Sequence, residues 1–247
     1  MQRYTRQAKL FIGFVAVCGL VTLCYGASTQ QWNLDLRFVS LLSVAMLASR
    51  LKVSLPEVNG SMSVNLPFLL VGAAWLSLPA ALIIGSASAL VQSIPAKNNP
   101  LRPVRILFNF SIMVIAIGLA WTVLNRDLVL QATELPEKLL LLVVATSVFF
   151  VAQTVPVAAI LSLTEGAKGF GTWLEIFTCS FPYYVLSAGV SAFISLAHHY
   201  AGWYLPLATL AVMFGVYRSY RRYFQTPAAS EVEPIRAVAK SHTAGAM

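Results

Sequence analysis

The chain has 247 residues, 58% of them hydrophobic and 11% charged, with a formal net charge of +8. A soluble domain carries roughly 45–50% apolar and about 25% charged residues, so this composition excludes an ordinary cytosolic enzyme and a disordered chain. It also excludes a nucleic-acid binder, because the Lys and Arg residues sort between apolar segments rather than into one basic face.

No Asp, Glu, Lys or Arg occurs in 10–34, 58–96, 106–125, 139–164 or 176–217. A membrane-spanning helix needs about 20 mainly apolar residues. The second and last stretches are long enough for two spans each, which predicts an all-α, polytopic transmembrane helix bundle of about eight spans. Cys18, Cys24 and Cys179 all lie inside apolar segments without metal-ligand spacing, and they read as small buried hydrophobes.

In chain order, the first span is expected at 9–27. Arg3, Arg6 and Lys9 precede it as they would a secretory signal. Its apolar run exceeds the roughly 7–15 residues of a cleaved signal and no Ala-x-Ala site closes it, so it reads as an uncleaved span. A polar loop containing Trp32 leads to a short second span at 36–51, from whose ends Arg37, Arg50 and Lys52 can snorkel. In 53–64, Pro56, Asn59 and Gly60 are turn residues, and Met62, Val64, Leu66 and Phe68 alternate with polar or Pro positions. Strict alternation predicts strand, so a small β-hairpin is expected at 53–64. Irregular backbone at membrane depth must be buried in protein or line a cavity, so this element is either a surface cap or part of a site.

One helix over 66–94 would be roughly 44 Å long, too long for a ~30 Å hydrocarbon core. Pro79 suits the start of a new helix, with Ser77 ahead of it as a cap. A short helical hairpin is therefore expected, 66–78 and 79–94, with Trp75 at an interface. Further spans follow at 106–124, 139–163 with Pro156 inside, 172–196 with Pro182 inside, and 203–223. Residues 1–224 form the membrane domain. The polar stretch 225–247 has no apolar face and is expected to be a disordered cytoplasmic tail.

Eight spans with both ends cytoplasmic place 14 Lys and Arg residues inside, leaving Arg37, Arg126 and Lys138 outside, in line with the positive-inside rule. A single span over 66–94 would send Lys97, Arg102 and Arg105 outside. The net charge is thus mostly a topology signal, and the expected location is a bacterial inner membrane.

Ser77, Ala81, Gly85, Ala89 and Ser93 recur every fourth residue, a small-residue stripe that suits close helix packing or the lining of a ligand path. Polar residues inside spans are costly without partners. Asn65, Gln92, Asn109, Gln153 and Thr154 are therefore candidates for a ligand site, and equally for interhelical hydrogen bonding. Pro156 frees the Ala152 carbonyl beside Gln153, as a small polar site could use. Glu175 completes a capping box with Thr172 or serves as a buried acid. Tyr183 and Tyr184 need hydrogen-bond partners if buried, and Tyr184 joins the candidate ligand set. The adjacent His198 and His199 point about 100° apart on a helix, a poor metal pair. Gly189 and Ser191 lack the second Gly of a nucleophile elbow. No phosphate loop, zinc spacing or paired catalytic carboxylates appear, so no catalytic residue, metal or cofactor is assigned, and no enzymatic activity is expected.

Two stretches carry a resemblance. One is 55–63 leading into 79–85, Val91, Gln92, Phe108 and Asn109. The other is 149–158 with Gln153, Thr154 and Pro156, then Leu163, Glu165, Gly166, Trp173 and 181–184. Together, over about 36–217, they resemble the N-terminal multi-span region of bacterial signalling proteins that carry a cytoplasmic HD-type phosphohydrolase or GGDEF diguanylate cyclase domain. Such proteins continue into a catalytic domain where this chain has a short polar tail, and Asn is expected where Gln153 stands. The resemblance implies a sensory or small-ligand-binding membrane module acting through a separate signalling partner in the cytoplasm. The run from Gly60 to Pro67 with the following hairpin is also similar to substrate-binding membrane subunits of energy-coupling-factor transporters. Their early Ala-x-x-x-Ala docking motif is replaced here by Gly13 and Val17. That likeness implies a small-solute transport subunit with an ATPase partner. A structural or assembly role is the third reading.

Overall fold

The computed structural model describes residues 5–29, 35–54, 61–94, 103–125, 135–165, 169–201 and 204–225. The expected turn at Pro56, Asn59 and Gly60, Trp32, Trp203, and the tail beyond Gln225 lie outside the described residues, as do the His198 and His199 side chains. The described elements are α1 (Arg6–Ser28), α2 (Leu36–Arg50), β1 (Lys52–Ser54), β2 (Ser61–Ser63), α3 (Leu66–Trp75), α4 (Leu78–Ser93), α5 (Pro103–Leu124), α6 (Leu135–Glu165), α7 (Gly169–Ala201) and α8 (Leu205–Gln225).

Helix starts follow local chemistry. The Thr5 hydroxyl accepts from the Ala8 N–H at 3.2 Å and the Asp35 carboxylate from the Phe38 N–H at 3.0 Å, each satisfying a donor with no partner inside its helix. α1, α5, α6 and α7 are long and apolar enough to cross a membrane. α2, α3 and α4 have 15, 10 and 16 residues, fewer than the ~20 that a full crossing takes. α8 has the length, but Arg218, Arg221 and Arg222 occupy its final turns.

On α1, the residues Ala8, Ile12, Val15 and Gly19 are buried, while Leu10, Phe14, Val17 and Leu20 are exposed. An apolar outer face suits lipid. Lipid supplies no hydrophobic drive between helices, so association rests on close packing and interhelical hydrogen bonds. Gly19 shows the first: an added Cβ would stand 2.8 Å from Ser111 Cβ and 3.0 Å from Ser111 Cα on α5. The stripe on α4 shows it again. Ala81, Gly85 and Ala89 are buried, and a Cβ at Gly85 would collide with Ile117 of α5.

α3 is the centre of the bundle. Leu66 to Ala73 are all buried, and α2, α4, α5 and α7 pack around it. It ends where Leu76 and Ser77 turn extended, and Pro79, the second residue of α4, cannot donate into a continuing helix. Ser77 occupies the cap position, but its hydroxyl receives no capping bond. Two carbonyls at the end of α3 are taken by residues at the end of α5 and just past it. Trp121 Nε1 donates to Leu76 O and Asn125 Nδ2 to Ala73 O, both at 3.0 Å. The chain then folds back, so that the end of α4 lies beside β1, β2 and the start of α3. There, β1 and β2 pair antiparallel with Lys52 opposite Ser63, within the stretch whose alternation predicts strand.

Helices also differ from expectation at their ends. α7 begins at Gly169 rather than Thr172. Glu175 therefore sits past the first turn and is exposed, so no capping box forms with Thr172. α6 and α7 run through Pro156 and Pro182 as single helices.

Candidate functional site

The polar side chains that come together do so at the N-terminus of α3. Four elements meet there: the end of α2 brings Ser49, β2 brings Ser63, the residue before α3 is Asn65, and the last turn of α4 brings Gln92. Gln92 Nε2 donates to Ser63 Oγ. Ser63 Oγ donates to Asn65 Oδ1 at 2.8 Å, and Asn65 Nδ2 donates to Ser49 Oγ at 3.0 Å. Ser49 Oγ donates to Ala45 O at 2.6 Å. Every donor in this chain points the same way, from α4 through β2 and α3 to α2. Aligned bonds of this kind polarise one another in a low dielectric. Ser49, Ser63 and Asn65 are buried.

α7 closes the cluster from the other side. The Tyr183 hydroxyl accepts from the Leu66 N–H at 3.1 Å and donates to Ser63 O at 2.9 Å. Leu66 is the first residue of α3, Pro67 has no N–H, and Phe68 and Leu69 both donate to Asn65 O. The N–H groups of Leu66, Phe68 and Leu69 are thus satisfied, with a phenol in the place of a capping side chain. Two turns further along α7, the Ser191 hydroxyl donates to Ser187 O at 2.7 Å and shares that proton with Pro67 O at 3.2 Å. Ser88, one turn before Gln92 on α4, is also buried, and its hydroxyl has no hydrogen-bond partner among the described residues.

Lys52 stands at the edge of this cluster. Its ammonium donates to the carbonyls of Gln92 and, at 3.2 Å, Ile94, which fastens β1 to the C-terminal end of α4, where a cation is favoured. Burial pushes the Lys52 pKa down, and the charges of Arg50 and Arg105 push it the same way.

The other sequence candidates are not part of this network. Gln153 Nε2 faces Met113 Sδ at 3.4 Å, and Thr154 Oγ1 accepts from Trp173 Nε1 at 3.1 Å while donating to Phe150 O. Asn109 and Glu175 are exposed. Tyr184 packs its ring edge-on against Phe150, centroids 4.6 Å apart. Ser49, Ser63 and Lys52 were no part of the candidate set. Tyr183 had a signal in the sequence, a phenol inside a span, but its neighbour Tyr184 had the same one. Among the described residues, no three His, Cys, Asp or Glu side chains are grouped to hold a metal.

Fold and site together define a helical membrane protein with a polar cluster buried at the start of a short central helix. The chain matches no protein-family model, and neither a curated protein nor a solved structure shows significant similarity to it.

Proposed function

We propose that the chain is a non-enzymatic sensory or small-ligand-binding module of a bacterial inner membrane, acting through a separate partner protein. Its eight helices are all embedded in the bilayer, with α3 and α4 as a short helical hairpin and both termini cytoplasmic. The observation that carries this reading is the Asn65–Gln92 cluster at the buried start of α3. Non-helical backbone inside a membrane protein is tolerated where it is buried or lines a cavity. Interrupted helices with polar ends are where membrane proteins bind small solutes. The ligand suited to this chemistry is a small neutral molecule with both a donor and an acceptor, exchanging hydrogen bonds with Gln92 and using the unpaired hydroxyl of Ser88.

The same interrupted-helix arrangement suits a small-solute transport subunit with an ATPase partner. The internal pairing of Ser49, Ser63, Asn65 and Gln92 suits a purely structural role.

Native mass spectrometry of gently purified protein separates these readings. A stoichiometric small molecule on the wild type that is lost on Gln92→Ala is the expected result. Solute accumulation in vesicles, coupled to an ATPase, would move the assignment to transport. A bundle that carries no small molecule in either form, at equal stability, would overturn ligand binding and leave the cluster as packing.

A further inference from the structure

At the end of the bundle where α2 and α4 finish and α5 begins, three cations lie near one another with no counter-charge among the described residues. Arg50 is the last residue of α2, Lys52 lies two residues on in β1, and Arg105 is in the first turn of α5. Lys52 is held in place by the carbonyls of Gln92 and Ile94. Arg50 and Arg105 are exposed, and both act on Lys52 electrostatically, with no carboxylate of the described residues among the influences on it.

Each feature alone has a bland explanation. Arg50 and Lys52 fit the positive-inside rule, and Lys52 caps α4. Arg105 fits less well. The first turn of a helix presents unpaired N–H groups and a partial positive charge, so a cation there is disfavoured and an acid is preferred. α5 has no acid in its first turn. A helix N-terminus, an Arg upon it and two further cations make a concentrated positive centre. Neutral carbonyls satisfy the hydrogen bonds of Lys52 but do not neutralise its charge.

We propose that the Arg50–Lys52–Arg105 cluster is a binding site for a phosphate-bearing anion. Arg forks suit phosphate oxygens bidentately, and Lys adds a point charge beside them. Two sources share this chemistry: the phosphodiester headgroup of an anionic lipid and a soluble phosphate compound. Neither Arg belongs to the hydrogen-bonded network of Gln92, so variants of the two Arg residues test this site separately from ligand binding there.

The test uses the full chain purified in detergent. Native mass spectrometry counts the phosphatidylglycerol retained against phosphatidylcholine, and a separate titration follows inorganic pyrophosphate. The variant is the double Arg50→Gln, Arg105→Gln. It keeps Lys52 and hence the fastening of β1 to α4. The double Arg→Lys variant, which keeps the charge, checks that folding is intact. Each basic residue near an anionic surface contributes roughly fivefold, so the double Gln variant should bind on the order of twenty-fivefold more weakly. Loss of phosphatidylglycerol with no pyrophosphate binding identifies a lipid headgroup. Saturable pyrophosphate binding that disappears in the double Gln variant identifies a soluble phosphate. Equal retention of both probes by the wild type and a folded double Gln variant overturns the proposal.

Discussion

Tyr183 and Leu66 are 117 residues apart in the chain, and the phenol oxygen of one lies 3.1 Å from the backbone nitrogen of the other. This bond caps a helix from outside it. Tyr183→Phe keeps the ring and removes the acceptor, leaving the Leu66 N–H buried and unpaired. The expected cost is about 1–3 kcal/mol, read as a lower unfolding temperature in detergent. An unchanged transition would mean that the N–H finds another acceptor and that the phenol is not the cap.

Asn65 and Asn109 look alike in sequence, each an amide near the start of an apolar helix. Asn65 bonds Ser63 and Ser49 and is 3% exposed, whereas Asn109 is exposed. Asn65→Ala breaks the relay between α4 and α2 and is expected to destabilise by about 1–3 kcal/mol. Asn109→Ala should stay within about 0.5 kcal/mol of wild type. Similar losses at both positions in a thermal-shift comparison would contradict this assignment.

Packing of α1 gives a second matched pair. At Gly19 an added methyl would press on the Ser111 backbone, which cannot swing aside, while nothing lies within 4 Å of Gly13. Gly19→Ala is expected to cost about 1–3 kcal/mol by overpacking. Gly13→Ala should be neutral or gain up to about 1 kcal/mol from helix propensity. Chemical unfolding of the two variants side by side decides between this geometry and a loosely attached α1.

Topology has its own measurement. With α3 and α4 folded back on each other, a reporter fused after Ile94 should read cytoplasmic. A periplasmic signal there would make 66–94 a single crossing and reduce the count to seven.

Much of this architecture is legible in the sequence, for identifiable reasons. Pro79 following the extended pair Leu76–Ser77 marks the break between α3 and α4, because Pro has no N–H to continue a helix. The alternation before Leu66 marks β2. Asn65 and Gln92 stand out because amides inside apolar stretches need partners. What the sequence hides is rotation. Tyr183 and Tyr184 point about 100° apart on α7, and only the packing of α7 on α3 decides which phenol becomes the cap. Ser49 is hidden because a serine can satisfy itself on its own helix carbonyl, and Ser63 because a serine in a short polar strand gives no outward sign of a buried partner. Glu175 was misleading because Thr172 three residues earlier imitates a capping box, while the helix starts a turn sooner.

The central position of α3 also has a consequence in time. A segment enclosed on every side cannot be enclosed until its neighbours exist. α7 is made long after α3, and at about 5–20 residues per second the 117 residues between Leu66 and Tyr183 take roughly 6–23 seconds to synthesise. For that interval the start of α3 in the nascent bundle lacks its phenol cap. The last steps of assembly, not the first, decide whether the centre of this protein is closed.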